Sequence, residues 1–458
     1  MVIVEKTKVN QLLLQGDKYI LQYLESLGKL PDDFETSIFF DLLRNPNDKV
    51  RVATIKNIGK LANLDFLNDL FGIALNDKNT MARREATSSI GRMRNEKIIP
   101  CLIEILDDED PKVVMQAIRG LLNFKENTLV QTALKEIALH PNEEISYILE
   151  KEFITGSQKK ILKSNHVESP DFLKNAVIHS DVLDAIRLIP SDSIHLTFTS
   201  PPYYNARDYA IYNSYSEYLD FLKDVFQELH RITKEGRFFL LNTSPVIVPR
   251  LGRNFSSKRY PIPYDLHSAL TEMGWEYIDD IVWLKPEASV KNRNGGFFQH
   301  RKPLAYKPNT ITECVMVYRK KTTKLLDWNI KQYPQDIIEK SKVLEEYETS
   351  NVWKIDPTFD RTHSAVFPIE LCNRVIKFYS YWGDLVFDPF GGSGTVGEAA
   401  KNLNRYFLLT EKEDLYIERI KERVLKNSLL DTRIPQFLSL NDLQIKAKEY
   451  HHANSSSD

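Results

Sequence analysis

The chain has little cysteine, no long apolar run and almost no net charge. Its three cysteines, Cys101, Cys314 and Cys372, lie far apart with no CxxC spacing, which supports neither a disulfide framework nor a zinc knuckle. No metal site is expected, and a reducing, cytoplasmic setting fits best. The opening stretch MVIVEKTKVNQLLLQGDKY carries Glu5, Lys6 and Lys8 and lacks a small-residue cleavage site. No later run reaches the length of a membrane span, so no membrane partner is expected. With 61 basic and 63 acidic residues, the net charge of −2 exerts no overall pull on a polyanion. Any nucleic-acid surface must therefore come from local clustering.

What is present divides into two unlike parts. From about Asp33 to Phe153 the sequence repeats with a period of roughly 31 to 33 residues, the length of one helix pair in an α-solenoid. Polar turns at Asn45–Asp48, Asn76–Asn79, Asp107–Asp110 and His140–Glu143 mark the register. Second helices begin near Val50, Ala82 and Val113, with apolar or small residues at helical spacing. Residues 1–154 thus resemble HEAT-like repeats, an all-α solenoid; an irregular helical bundle is the alternative. The polar stretch 155–174 reads as a linker.

Over residues 175–435 the periodicity changes. Short β-rich runs at Ile194–Thr199, Arg237–Leu241, Ile281–Leu284, Glu313–Tyr318, Leu385–Phe387 and Tyr406–Leu409 alternate with helical patterns at Tyr218–Leu229 and Ile369–Tyr379. This alternation predicts a Rossmann-like α/β domain with a mostly parallel sheet and a ligand site beyond the carboxyl ends of its strands. Residues 436–458 are expected to be a tail.

Two strings in this part carry chemistry. Val386-Phe387-Asp388 ends a predicted strand, and Phe390, Gly391, Gly392, Ser393 and Gly394 form a glycine turn before a helix that opens at Thr395. Such a turn lets backbone N–H groups approach a ligand closely. Glu411, at the end of the next strand, can accept hydrogen bonds from a ribose diol. The turn lacks the Lys-Ser/Thr ending of a phosphate-clamping loop, which disfavours a nucleoside triphosphate. The other string, Thr199-Ser200-Pro201-Pro202-Tyr203, also follows a predicted strand. Its prolines fix the backbone and leave carbonyls free, Ser200 supplies a hydroxyl, and Tyr203 supplies an aromatic face. These parts can hold the exocyclic amine of an extruded nucleobase; a rigid proline turn with a packed tyrosine is the plainer alternative.

Together TSPPY and DPFGGSGT resemble the catalytic and cofactor motifs of the DNA amino-methyltransferases, in the permuted beta-class order with the catalytic motif first. The resemblance covers roughly residues 175–430. It extends to His179-Ser180-Asp181, Trp283-Leu284-Lys285-Pro286 and His363-Ser364-Ala365-Val366-Phe367-Pro368. It implies S-adenosyl-L-methionine as cofactor, with Asp181 near its adenine and His363, Ser364 and Phe367 at its methionine end. It also implies that Ser200, Pro201, Pro202 and Tyr203 form the catalytic motif. A serine in the motif's first position is associated with N4-cytosine and aspartate with N6-adenine, so cytosine N4 is the expected target and adenine N6 the alternative. Transfer would be direct and in line, without a covalent base adduct. A C5-cytosine enzyme would need a cysteine nucleophile; Pro100-Cys101 has the dipeptide but sits in the repeat region. A repeat scaffold carrying a catalytically dead domain is the reading from another class.

For double-stranded DNA, positive charge gathers at Arg250, Arg253, Lys258 and Arg259 and again at Lys285, Lys291, Arg293, Arg301 and Lys302, opposed there only by Glu287. Such stretches fit phosphate contacts, with Phe297, Phe298, Gln299 and His300 available to a groove. Arg207 lies in a segment after the catalytic motif that is expected to close over the target. The room for a recognition region between Lys320 and Val352 is short, so the repeats are expected either to help grip DNA through Arg51, Arg83, Arg84 and Arg119 or to bind a protein partner. A cognate restriction endonuclease is a further candidate partner.

Overall fold

The computed structural model describes residues 16–30, 34–152, 166–204, 212–248, 252, 254–255, 258–289, 303, 310–358, 366–425 and 434–455. The chain divides into two compact units, Met1–Ile161 and Leu162–Asp458.

The first unit is helical: α1 (Asp17–Ser26), α2 (Ser37–Leu42), α3 (Asp48–Leu61), α4 (Leu67–Asn76), α5 (Thr80–Arg92), α6 (Ile99–Glu104), α7 (Pro111–Leu121), α8 (Thr128–Glu136) and α9 (Glu143–Glu150). The polar turns read from the sequence start the second helix of each pair. Asn47, Asn79, Asp110 and Asn142 accept N–H groups of the first turns of α3, α5, α7 and α9, satisfying donors that the helices cannot. Behind these caps, Val50, Ile55 and Ile58, then Ala82, Ala86 and Ile90, then Val113, Ala117 and Ile118 are fully buried in one continuous core.

Successive turns are also tied to one another. Arg51 donates twice to Asp77 at 2.8 Å, and Arg83 donates to Asp108 at 2.9 and 3.3 Å and to Glu109 at 3.2 Å. Arg51 and Arg83, which the sequence offered for a DNA grip, are thus engaged as cross-links of the solenoid. Arg119 remains exposed and Arg84 half-exposed. Because both side chains of the Arg83–Asp108 pair are only 9% exposed, Arg83→Ala would strand a buried carboxylate. The expected cost is about 3 kcal/mol of stability, read as a lowered denaturant midpoint; a change below about 0.5 kcal/mol, the scale of ordinary surface substitutions, would contradict this role.

The second unit is built on a nine-stranded sheet. Its strands are β1 (Ala176–His179), β2 (Ile194–Thr199), β3 (Thr233–Thr243), β6 (Trp275–Leu284), β7 (Thr312–Lys320), β8 (Val352–Lys354), β9 (Leu385–Asp388), β10 (Tyr406–Glu411) and β11 (Gln436–Ser439). The order is β11-β1-β10-β9-β2-β3-β7-β6-β8. Every pairing is parallel except those of β7, which runs against both β3 and β6. A separate hairpin pairs β4 (Val246–Val248) with β5 (Lys258–Tyr260).

Both faces of the sheet are covered, so its central strands β2 and β9 are buried at every position instead of at alternate ones. Phe239, Leu241, Phe387 and Leu408 pack on one face with α10 (Val182–Ile186), α11 (Tyr215–Ile232) and α12 (Ile262–Glu272). Leu240, Val386, Phe407 and Leu409 pack on the other with α15 (Ile369–Tyr379), α16 (Thr395–Asn402) and α17 (Asp414–Val424). Two short helices, α13 (Leu326–Ile330) and α14 (Gln335–Lys340), follow β7.

Two expectations are corrected here. Residues 436–455 are no tail: β11 pairs in parallel with β1 and continues into α18 (Leu440–Ser455), burying Leu438, Leu443 and Ala447. The end of the expected linker is also packed structure, since Leu173 is fully buried and Ser169 donates to the carbonyl of Ser193 at 2.6 Å. The acidic residues before β8 are likewise committed to the domain itself, Glu345 to Lys377 and Glu348 to Arg374 on α15. Among the described residues, no helix is long and apolar enough to cross a membrane.

Candidate active site

The carboxyl ends of β1, β2, β3, β6, β9 and β10 meet at one edge, and a cavity of about 480 Å³ opens there. That size suits a small organic ligand. Both sequence strings line it. Ser200, Pro201, Pro202 and Tyr203 come from the end of β2, and Asp388, Phe390, Gly391, Gly392, Ser393 and Thr395 from the turn between β9 and α16. Glu411, Asp181 and Phe367 complete the predicted set; Gly394 stands behind the wall, and His363 and Ser364 lie outside the described residues.

The two strings touch. Thr199 Oγ1 donates to Asp388 Oδ1 at 2.6 Å across 189 positions of sequence, and the same oxygen accepts the Phe390 N–H at 3.1 Å. Burial pushes the Asp388 carboxyl up to about 7, against the pull of these two hydrogen bonds. The turn is tight for a steric reason. A Cβ on Gly391 would stand 3.2 Å from the Thr410 carbonyl, and Gly394, at φ 80°, would place one 3.0 Å from Ile420.

Glu411 holds the turn from β10. Its Oε2 accepts the Gly392 N–H at 2.8 Å, and its Oε1 accepts those of Lys412 and Glu413 at 2.8 and 3.0 Å. Burial still raises its carboxyl above the usual range. A carboxylate has about four acceptor positions, so one remains for a ligand hydroxyl. Asp181 caps α10 through one oxygen and also faces the cavity. Carboxylates at 181, 388, 411 and 413 make the wall suited to a cationic ligand.

Sequence reasoning missed the other half of the site. Glu313 accepts from Asn242 Nδ2 at 2.6 Å and from the Tyr203 hydroxyl at 3.1 Å, and its second oxygen is bound by Lys285 Nζ. Asn242 Nδ2 also reaches Ser200 Oγ at 3.4 Å. Burial raises the Tyr203 phenol well above its ordinary value, and Glu313 adds to the effect. Lys285 is thus corrected from a phosphate contact to a wall of the cavity. A signal existed in Glu313 at the head of a predicted strand, but only the antiparallel run of β7 brings a strand's first residues to the edge where the other strands end.

Of the predicted DNA contacts, Lys258 and Arg259 lie exposed on β5. Arg207, Arg250, Arg253, Lys291, Arg293, Arg301 and Lys302, with the aromatic segment 297–300, lie outside the described residues. Cys101 is half-buried in α6, with its thiol pushed up by burial, the setting of a structural cysteine rather than a nucleophile.

Comparison with known proteins agrees with this geometry. The DNA methylase family of the N6/N4 type matches residues 194–422, and HEAT repeats match residues 36–121 and 67–147. The type II methyltransferase M.ScaI of Streptomyces caespitosus is 30% identical over 271 residues, covering 57% of this chain and 83% of its own. M.MwoI of Methanothermobacter wolfeii is 30% identical over 268 residues, which span 55% of this chain but only 35% of that longer protein. A solved structure described as a DNA modification methylase of Thermus thermophilus, complexed with S-adenosyl-L-methionine, is 24% identical with a TM-score of 0.46, covering 60% of this chain and 98% of that one. The chain belongs to the N6/N4 family of DNA methylases, whose methyl donor is S-adenosylmethionine, and carries HEAT repeats ahead of its methylase domain.

Proposed function

We propose that this cavity transfers a methyl group from S-adenosylmethionine to the N4 amine of a cytosine flipped out of a specific duplex site. The observation that carries the reading is the Thr199–Asp388 hydrogen bond, which holds the amine-gripping string and the glycine turn over one cavity. The donor set fits the cofactor: among the residues lining the cavity, Glu411 would accept from the ribose, Asp181 would serve the adenine and Phe367 the methionine part, and Asp388 would offer its carboxylate to the cationic centre. The cofactor supplies an electrophilic methyl group on sulfur.

The protein's share is placement of the nucleophile. An exocyclic amine donates its lone pair into the ring, so it attacks poorly until both its protons are engaged and the nitrogen can pyramidalise. Ser200 Oγ and a carbonyl of the proline pair are the acceptors, and the Tyr203 ring flanks the base. Lys258 and Arg259 are the described candidates for phosphate contacts. Serine at position 200 is what favours cytosine over adenine here, by family association. For the repeats, a protein partner or a supporting DNA contact through Arg84 and Arg119 is the proposed role, since Arg51 and Arg83 are committed to the solenoid.

One test reads the site before any chemistry. Because the Asp388 carboxyl sits near 7 when buried without a cation, a cationic ligand favours its ionised form. Cofactor affinity should therefore rise with pH, roughly threefold to tenfold between pH 6 and 8. The neutral thioether product should show a smaller change. Calorimetry that finds affinity flat or falling over this range would contradict the placement of the sulfonium beside Asp388.

A further inference from the structure

The geometry points to Glu313 as a positioning residue that decides which way the Ser200 hydroxyl faces the target amine, an inference that rests on the methyl transfer proposed above. The argument is one of hydrogen-bond direction. An ionised carboxylate accepts and never donates, and an ammonium donates and never accepts. Lys285 therefore takes one oxygen of Glu313, and the other oxygen obliges both Asn242 Nδ2 and the Tyr203 hydroxyl to donate toward it. With its proton committed to Glu313, the Tyr203 oxygen can only accept on its other side, where the neighbouring Ser200 hydroxyl is the donor that draws the phenol down against the larger effect of burial. Asn242 Nδ2 adds a longer donation to Ser200 Oγ at 3.4 Å. The Ser200 proton is thus turned away, and a lone pair is left for the amine.

The polarity matters for chemistry. A serine that accepts from the amine N–H frees the nitrogen lone pair, whereas a serine that donates to the nitrogen ties up the pair that must attack the methyl group. Glu313 touches neither amine nor cofactor in this scheme; it acts through Tyr203 and Asn242. Its pairing with Lys285 gives a test that a purely structural role would not pass.

In Glu313→Gln the side chain must choose. Lys285 only donates, so the glutamine carbonyl turns toward Lys285 and the amide turns toward Tyr203 and Asn242, reversing the network. The single-turnover methyl-transfer rate at saturating cofactor should fall roughly tenfold to a hundredfold, with cofactor affinity within about twofold of wild type. Adding Lys285→Met removes the donor that forces this orientation and should restore at least about threefold of the loss, since a group in a network is not additive with its partner. A Glu313→Gln rate within twofold of wild type, or no recovery in the double variant, would overturn the inference. If thermal melting shows that Glu313→Gln does not fold, Tyr203→Phe gives the answer: a lowered rate at unchanged cofactor affinity supports the scheme, and an unchanged rate sinks it. A wild-type chain that transfers no methyl group at all would instead remove the proposed function, and this inference with it.

Discussion

Replacing Ser200 by alanine should lower turnover by roughly two to three orders of magnitude, the scale seen when one preorganised polar group is removed from a transition state. Cofactor affinity should change by less than about twofold, because the glycine turn and Glu411 make no hydrogen bond to Ser200 among the described contacts. The asymmetry is the point. Ser200 stands at the wall shared with Tyr203 and Asn242, where it can meet the amine, and a lost acceptor there is felt only as the nitrogen pyramidalises. Substrate-binding loss without a turnover defect would place Ser200 in the DNA grip instead. A parallel collapse of cofactor binding would mean that the two strings are one folding unit rather than two halves of a site.

Gly392→Asp should have the opposite signature. Gly392 sits at φ 48°, a conformation that aspartate tolerates better than most residues, so the backbone need not break. What changes is the space before the turn: a side chain now stands at a cavity-lining position where a ligand must come close to the backbone, beside Glu411, which takes the Gly392 N–H. Blocking that approach should weaken cofactor binding by roughly a hundredfold or more, while thermal stability without cofactor falls much less. Calorimetry that finds cofactor binding intact would show that the ligand does not approach the turn at Gly392.

Much of this architecture is legible in one dimension because the relevant physics is local. Parallel strands covered on both faces favour apolar runs, and those at Leu385–Phe387 and Tyr406–Leu409 are such runs; a glycine turn must have glycines where a Cβ would strike Thr410 or Ile420, and it has them. The solenoid announces itself through its caps, since each second helix needs an acceptor for its first N–H groups.

What escaped the sequence is what depends on pairing between distant segments. Lys285 looked like a surplus positive charge because only Glu287 stood near it in the chain, whereas Glu313 reaches it across the β6–β7 register, where Trp283 faces Glu313. Arg51 and Arg83 looked like free cations because their partners, Asp77 and Asp108, lie 26 and 25 residues ahead. Residues 436–455 looked like a tail because a four-residue edge strand carries too little pattern to be recognised without β1 beside it.

The central claim is that the Ser200 site methylates cytosine at N4. Duplex DNA incubated with the chain and S-adenosylmethionine, then digested to nucleosides and analysed by mass spectrometry, tests it most directly. The expected product is N4-methylcytidine in its deoxy form, absent from DNA treated with the Ser200→Ala variant. N6-methyladenine in its place would contradict the cytosine assignment while leaving the site's chemistry standing.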